Sequence, residues 1–369
     1  MKVLSVFGTR PEAIKMCPLI KMMEENSEIE SIVCLTGQHR EMLQQVLDIF
    51  NVKADYNLDI MKKGQTLTSI TSDILVGLEQ IFKEETPDLV LVHGDTTTSF
   101  AAALAAFYQQ LPVGHVEAGL RTYDKYSPFP EELNRNLTGK IAELHFAPTK
   151  QNAENLRKEN IHQNVYITGN TVIDSMQTTI REKYVFHNSK LNNYDYEQKR
   201  IILLTAHRRE NWGKPHENIF SAVKDILEKH SDVEVIYPVH PNPIVKNMAE
   251  SVFAGENRVH LIEPLDVQDT HNLINKSYLI MTDSGGIQEE APSCGKPVVV
   301  LRNETERMEA VEAGTVVMAG TDRKKVFDLV DELLTNEDAY MRMAHAVNPY
   351  GDGKASQRIV KHILEWNKR

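Results

Sequence analysis

Acidic and imidazole side chains recur at one kind of position in this chain of 369 residues, directly after a short apolar run. Asp95 follows Leu89-Val90-Leu91-Val92-His93-Gly94, and Glu117 follows the run 112–115 and Val116. His207 comes after the run 200–205, and His240 after 233–239. Such runs read as buried parallel strands, and an open α/β sheet binds its ligands beyond the carboxyl ends of its strands. Glu131, which opens a helical pattern, adds a third carboxylate for general acid–base chemistry. Arg10 and Lys15 follow the first strand, 2–8, where two cations suit a phosphate-bearing ligand. Each residue also has an ordinary reading. Asp95 would serve as a helix cap, Glu131 and Arg135 as an i,i+4 surface ion pair, and a single histidine as a satisfied structural residue.

A second chemistry belongs to Thr282-Asp283-Ser284-Gly285-Gly286-Ile287-Gln288-Glu289-Glu290-Ala291-Pro292, after the apolar run 278–281. Ser284 is placed to cap the next helix, and Gly285 and Gly286 let a ligand approach the backbone. Unpaired N–H groups at such a turn suit a phosphate or diphosphate. Glu290, about one turn on, suits the two hydroxyls of a ribose. The stretch reads as a nucleotide-diphosphate clamp, with His207, Arg208, His240 and Arg307 as further anion and hydroxyl ligands. The alternative is a strand–turn–helix that holds nothing. No GxGxxG follows a strand and no GxxxxGK[ST] occurs, so nicotinamide and ATP sites lack their usual signals. No HExxH, DxD or close His/Asp triplet marks a metal site, and none is expected.

Positioning these residues takes a strand–helix alternation that runs through the chain twice. The length predicts two domains, each α/β and each reading as a doubly wound parallel sheet. If the two face each other across a cleft, all the residues above converge. Thr9-Arg10-Pro11-Glu12 has capping-box spacing, but Pro18 is expected to bend or interrupt the helix that follows. Thr149 is placed to cap another helix. The segment 184–199, polar and weakly periodic, reads as a linker or surface crossing. A net charge of −11 disfavours nucleic-acid and anionic-membrane partners. Three cysteines, far apart, point to no disulfide framework and no CxxC site. The first residues turn polar too soon for a signal peptide, and no apolar run approaches the roughly 20 residues of a membrane span. A cytoplasmic protein is expected.

Several segments stand in one order over essentially the whole chain. They are FGTRPEAIKMCPLI at 7–20, TGQHREML at 36–43, VHGDTTTSFAAALAAF at 92–107, VGHVEAGLRT at 113–122 and PFPEELNRNLTGKIAELHFAPT at 128–149. They continue with ITGNTVIDS at 167–175, TAHRRENWG at 205–213, YPVHPNP at 237–243, TDSGGIQEEAPSCGKPVVVLRNETERMEAVEAGT at 282–315 and NPYGDGKAS at 348–356. Together they resemble the non-hydrolysing UDP-N-acetylglucosamine 2-epimerases of bacteria. The resemblance implies the two-domain GT-B architecture of Rossmann-like domains. The first, 1–170, would be rejoined by a final helix at about 356–369, and the second would span 171–355. It implies reversible interconversion of UDP-GlcNAc and UDP-ManNAc through 2-acetamidoglucal, which supplies ManNAc for surface polysaccharide. It also implies a homodimer with neither metal nor nicotinamide.

By position, Asp95, Glu117 and Glu131 resemble the family's acid–base carboxylates, and Lys15 and His207 match positions tied to activity. Arg10, His240, Ser284, Gly285, Gly286, Glu290 and Arg307 match UDP-binding positions. A second UDP-GlcNAc, acting as an activator, would use Gln38, His39, Gln65, Arg208 and His240. Glu41 and Gly64 depart from the glutamine and arginine common in that pocket. Thr270 stands where relatives often carry phenylalanine, and Met308 where proline is common. A GT-B glycosyltransferase, a hydrolysing 2-epimerase and a non-catalytic nucleotide-sugar sensor are the alternatives.

Overall fold

The structure is a computed structural model that describes residues 1–37, 40–62 and 64–368, with the backbone alone at 40–42. The chain divides into two compact units, Met1–Thr178 with Tyr350–Arg369, and Thr179–Pro349. In the first unit the strands are β1 (Lys2–Phe7), β2 (Glu30–Leu35), β3 (Tyr56–Asn57), β4 (Leu89–His93), β5 (Val113–Val116), β6 (Leu144–Ala147) and β7 (Val165–Ile167). All pair in parallel, in the order β3-β2-β1-β4-β5-β6-β7. Every residue of β4 is buried, as an unbroken apolar run requires when helices cover both faces of the sheet. Strand order reverses between β1 and β4, so the turns after these two strands diverge and open a crevice.

The helices of this unit are α1 (Arg10–Glu24), α2 (Arg40–Phe50), α3 (Leu67–Glu85), α4 (Thr97–Tyr108), α5 (Glu131–Ile141), α6 (Lys150–Lys158) and α7 (Thr171–Thr179). In α3, Ile70, Ile74, Leu78 and Ile81 repeat every three or four residues and pack with Leu4, Val6, Val90 and Val92. Thr149 caps α6, its hydroxyl accepting from Asn152 N at 3.1 Å.

Pro18 does not interrupt α1, which runs on to Glu24. Proline removes the N–H that would bond the carbonyl four residues earlier, that of Ile14. The Ser175 hydroxyl, from α7, donates to that carbonyl instead. Ser175→Ala should therefore cost about 1–2 kcal/mol, the price of an unpaired buried carbonyl, read as a lower urea midpoint with an unchanged slope. An unchanged midpoint would remove this explanation of the intact helix.

The same helix explains where the first unit ends. Asp174 accepts from the backbone N–H groups of Ala355 and Ser356 at 3.2 and 2.8 Å, which ties α7 to the last helix, Ala355–Asn367. The division thus falls after 178 rather than after 170, and Tyr350 already belongs to the first unit.

The second unit has β8 (Arg200–Thr205), β9 (Val233–Pro238), β10 (Val259–Ile262), β11 (Leu279–Thr282), β12 (Val298–Val300) and β13 (Val316–Met318). They pair in parallel as β10-β9-β8-β11-β12-β13, with the reversal between β8 and β11. The helices used below are α8 (Lys214–Lys229), α9 (Pro243–Val252), α10 (Val267–Lys276) and the six-residue α11 (Gly285–Glu290). Phe220, Val223 and Leu227 of α8 pack with Tyr237 and Leu204 in the core of this unit.

Segment 184–199 is a strap on this unit rather than a loose linker. Leu191 and Phe186 are buried. Asp269 accepts from the Tyr184 hydroxyl at 2.8 Å and from His187 N and Asn188 N, each at 2.9 Å. His187, Asp266 and Asp269 bring their donor atoms within 4.8 Å of one another, but both oxygens of Asp269 are engaged in holding the strap.

Candidate active site

One carboxylate organises the crevice of the first unit. Thr9 caps α1, and Glu12 closes the capping box by accepting from Thr9 N at 2.8 Å and Gly8 N at 3.0 Å. The other oxygen of Glu12 accepts from the hydroxyls of Thr96 at 2.7 Å and Ser99 at 3.2 Å. A buried, fully bonded carboxylate therefore ties the turn after β1 to the turn after β4. Lys15 follows one helical turn later, and half-buried Arg10 begins the helix.

Thr96, and not Asp95, caps α4, its hydroxyl accepting from Ser99 N at 3.1 Å. The Asp95 carboxylate is left for other work. Arg135 Nη2 lies 3.0 Å from its Oδ2, and Asn134 Nδ2 donates to its backbone carbonyl at 3.0 Å. Burial raises the Asp95 pKa. Arg135 and Lys15 oppose that rise, while Glu117 and Glu131 add to it. The expected pair between Glu131 and Arg135 side chains does not form. Arg135 turns inward to Asp95, and its Nε donates to the Glu131 backbone carbonyl at 3.4 Å. Glu131 is half-buried at the first position of α5.

Glu117, one residue past β5, has φ +63°, in the left-handed region. A side chain there costs roughly 1–2 kcal/mol, and such strain gathers at sites whose surroundings impose it. Gly94 N donates to the Val116 carbonyl at 2.8 Å and Ala118 N to that of Phe146 at 3.0 Å, which fixes the backbone on both sides. The carboxylate forms an ion pair with Lys15, and the oxygen involved, Oε2, also accepts from Asn170 Nδ2 at 2.9 Å. His93 Nε2 lies 3.6 Å from it. Burial alone would raise the Glu117 pKa, but Lys15 and then His93 hold it well below the usual carboxylate range.

The second unit builds its crevice on Asp283, which is fully buried just past β11. Its Oδ2 accepts from His207 N and Arg208 N at 2.8 Å each and from Asn211 Nδ2 at 3.0 Å. Its Oδ1 lies 3.2 Å from His207 Nδ1. The turn after β8 is thus shaped by the turn after β11. Burial lowers the His207 pKa, Asp283 opposes this, and Arg208 and His240 reinforce it. The His207 and His240 rings run nearly parallel, centroids 5.9 Å apart. Asn242 N donates to His240 Nδ1 at 3.1 Å, which leaves the proton of a neutral ring on Nε2.

Ser284 stands at the N-cap of α11, but its hydroxyl makes no capping bond. The two glycines let the protein's own side chains come close to the backbone. A Cβ at Gly285 would meet the Arg307 guanidinium at 2.7 Å, and one at Gly286 would meet Glu290 Oε1 at 3.3 Å. Arg307 is steadied by Glu289 Oε1 at 2.7 Å and by Glu306. Glu290 Oε2 lies 3.9 Å from Nε2 of the buried His271.

Gln38 and His39 lie outside the described residues, as does the Glu41 side chain. Gln65 donates to the Ile60 carbonyl, and Gly64 has φ +79° with nothing within 4 Å of a notional Cβ. Thr270 donates to the Asp266 carbonyl at 2.6 Å, and Met308 is exposed. Glu12, His93, Arg135, Asn170 and Asp283 are structural partners that the sequence did not assign to the site. Glu12 was visible as a capping residue and Asp283 as a neighbour of the clamp. Asn170 carried no signal.

A model of the family described as UDP-N-acetylglucosamine 2-epimerase matches residues 21–364. The UDP-N-acetylglucosamine 2-epimerase of Bacillus subtilis strain 168 is 57% identical over 365 residues, covering 99% of this chain and 95% of that protein. The crystal structure of UDP-GlcNAc 2-epimerase from Neisseria meningitidis bound to UDP-GlcNAc is similar, with a TM-score of 0.88 and 48% identity over 99% of this chain and 100% of that one. The Methanocaldococcus jannaschii UDP-GlcNAc 2-epimerase in complex with UDP-GlcNAc and UDP has a TM-score of 0.81 and 33% identity, over 99% and 100% of the two chains. Two Rossmann-like units in one chain agree with the GT-B class of these relatives. Among the described residues no helix is long and apolar enough to cross a membrane. On the family match and on 57% identity to the Bacillus protein along nearly its whole length, the chain belongs to the UDP-N-acetylglucosamine 2-epimerases, a family of isomerases.

Proposed function

We propose that the chain interconverts UDP-GlcNAc and UDP-ManNAc by eliminating UDP and adding it back across 2-acetamidoglucal. One observation carries the reading. Asp95 and Glu117 follow adjacent strands and are biased in opposite directions, Asp95 upward by burial and Glu117 downward, against its burial, by Lys15. Interacting carboxylates with separated proton affinities divide acid and base work between them.

The sugar's C2 proton has no carbonyl beside it, so direct removal is too slow. Breaking the C1–O bond first sends the bonding pair off with UDP and leaves positive charge at C1. That charge acidifies C2, a carboxylate takes the proton, and the C1=C2 bond of the glucal forms. UDP oxygen then returns to C1 while a proton reaches C2 on the opposite face. One group cannot serve both faces, so Asp95, Glu117 and Glu131 share the task. Lys15 and Arg10 balance the charge of the departing diphosphate, and His207 assists.

The proposal seats UDP on the second unit. Backbone N–H groups at Ser284, Gly285 and Gly286 would take phosphate, with the Arg307 guanidinium over Gly285 as the nearby cation. Glu290 would take the ribose hydroxyls, and His240 would assist. Water must be kept from the charged C1, or the sugar hydrolyses. The ligands named with the Neisseria and Methanocaldococcus relatives support UDP-GlcNAc as substrate. A homodimer, a second UDP-GlcNAc as activator, a cytoplasmic location and supply of ManNAc to surface polysaccharide complete the proposal.

A proton NMR time course with UDP-GlcNAc in deuterated buffer tests it. The manno product should appear with deuterium at C2 and without free sugar. Product lacking solvent hydrogen at C2 would overturn the route. Free ManNAc as the main product would mark a hydrolysing enzyme, and no turnover a sensor.

A further inference from the structure

The proposed reaction gives no task to a buried histidine beside Glu117. His93, the last residue of β4, is 4% exposed. Its Nε2 is closed off from solvent and makes no hydrogen bond among the described residues, yet it lies 3.6 Å from Glu117 Oε2. An unpaired buried ring nitrogen costs stability, and this one stands opposite a carboxylate able to accept a hydrogen bond from it. The same Oε2 already receives Lys15 from α1 and Asn170 from beyond β7. Among the described residues, Lys15 and His93 act most strongly on Glu117, and Asp95, just past β4, interacts with it. A carboxylate opposite Nε2 favours the ring form that carries its proton there. At 3.6 Å the contact is just too long for a hydrogen bond, and a shift of about half an ångström by either side chain would close it.

Glu117 Oε1 is different. Among the described residues it takes no hydrogen bond. Gly94, at φ +65° in the neighbouring turn, lies beside it, and even a Cβ there would only touch this oxygen, at 3.7 Å. We propose that His93 is a positioning residue for the epimerisation, an Nε2–H donor that joins Lys15 and Asn170 in anchoring Oε2 of Glu117 and so reserves Oε1 for the sugar. The inference rests on the reading that Glu117 exchanges a proton with substrate. Three donors on Oε2 favour the ionised carboxylate, so a proton taken on Oε1 is readily given up again. Removing one donor raises the proton affinity of Glu117 and moves the acid limb of the pH–rate profile upward.

The experiment compares His93→Ala, His93→Leu and His93→Gln in the full-length enzyme, using pH profiles of kcat/KM and the rate of C2 deuterium uptake. His93→Ala should lower kcat roughly tenfold to a hundredfold with little change in KM, and move the acid limb up by roughly half to one pH unit. The Gln amide places an N–H where Nε2 was, so His93→Gln should restore the limb and most of kcat. His93→Leu fills the space without a donor and should behave like His93→Ala even if the cavity left by alanine prevents folding. An unmoved acid limb in a folded His93→Ala or His93→Leu enzyme overturns the inference, as does His93→Gln performing no better than His93→Leu. Full activity in Glu117→Gln would overturn the underlying reading as well, so the two failures are told apart.

Discussion

Glu117→Gln should lose activity and stability together, whereas Asp95→Asn should lose activity alone. Both substitutions keep shape and remove a titratable oxygen, so both should slow epimerisation by roughly a hundred- to ten-thousandfold, the usual worth of a general acid or base. Their effects on folding have opposite causes. The Glu117 pKa is held low, against its burial, by Lys15 and His93. Its ionisation therefore favours the fold above the ordinary glutamate value, and that contribution fades as pH falls from there through the lowered value. Glutamine discards it and takes from the mostly buried Lys15 the counter-charge that Glu117 supplies. The loss should be on the order of 2 kcal/mol, between that of an exposed pair and that of a fully buried pair broken from one side.

The Asp95 pKa is raised by burial, which outweighs Arg135. Ionising Asp95 in the fold is thus a cost, carried at every pH above the raised value and absent below the ordinary aspartate value. Asparagine removes that cost, and its amide oxygen still accepts from Arg135. The Asp95→Asn protein should melt no lower than the parent at pH 7, with any advantage shrinking as pH falls. Thermal melts at pH 7 and pH 4, run beside the deuterium-uptake assay, separate the two variants. Equal melting losses at pH 7 would show that the carboxylates are not oppositely biased. UDP binding, which the proposal seats on the second unit, should survive in both.

Strand ends were legible wherever an apolar run was unbroken. The runs 89–93 and 278–281 read as buried strands, and strands stand at 89–93 and 279–282, so Asp95 and Asp283 follow their carboxyl ends. What each side chain then does was not legible. Asp95 and Thr96 are both good capping residues in tandem, and only the structure shows that Thr96 takes the helix and releases Asp95. Glu131 and Arg135 have ion-pair spacing, but Arg135 is drawn inward by Asp95, which lies 40 positions earlier in the chain. Pro18 signals a break because the rule is local, while the hydroxyl that repairs it sits on Ser175. The left-handed backbone of Glu117 has no sequence mark, since glutamate rarely adopts it. Partners distant in the chain decide each of these cases, and spacing carries no information about them.

Asp283→Asn should be the most damaging single change in the second unit. The parent carboxylate presents one oxygen to three donors, His207 N, Arg208 N and Asn211 Nδ2, and the other to the His207 ring. An amide cannot satisfy both sides. If its oxygen faces the three donors, its NH2 faces His207 Nδ1, and a neutral ring must then move its proton to Nε2. If it turns over, two backbone N–H groups and Asn211 face an NH2 in a buried place. Hydrogen bonds to a charged acceptor are roughly twice as strong as neutral ones, so even the better orientation should cost about 2–3 kcal/mol. Burial keeps His207 below its ordinary pKa, so the ring is largely neutral at pH 7 and which nitrogen carries the proton matters. The Asp283→Asn enzyme should therefore show a switched His207 tautomer by nitrogen-15 NMR and a kcat lower by roughly a hundredfold or more. An unswitched ring with a near-parental rate would mean that Asp283 shapes the turn without directing the histidine. Asn211→Ala separates those two roles, because it removes a donor from the same carboxylate oxygen and leaves the oxygen that faces His207 untouched.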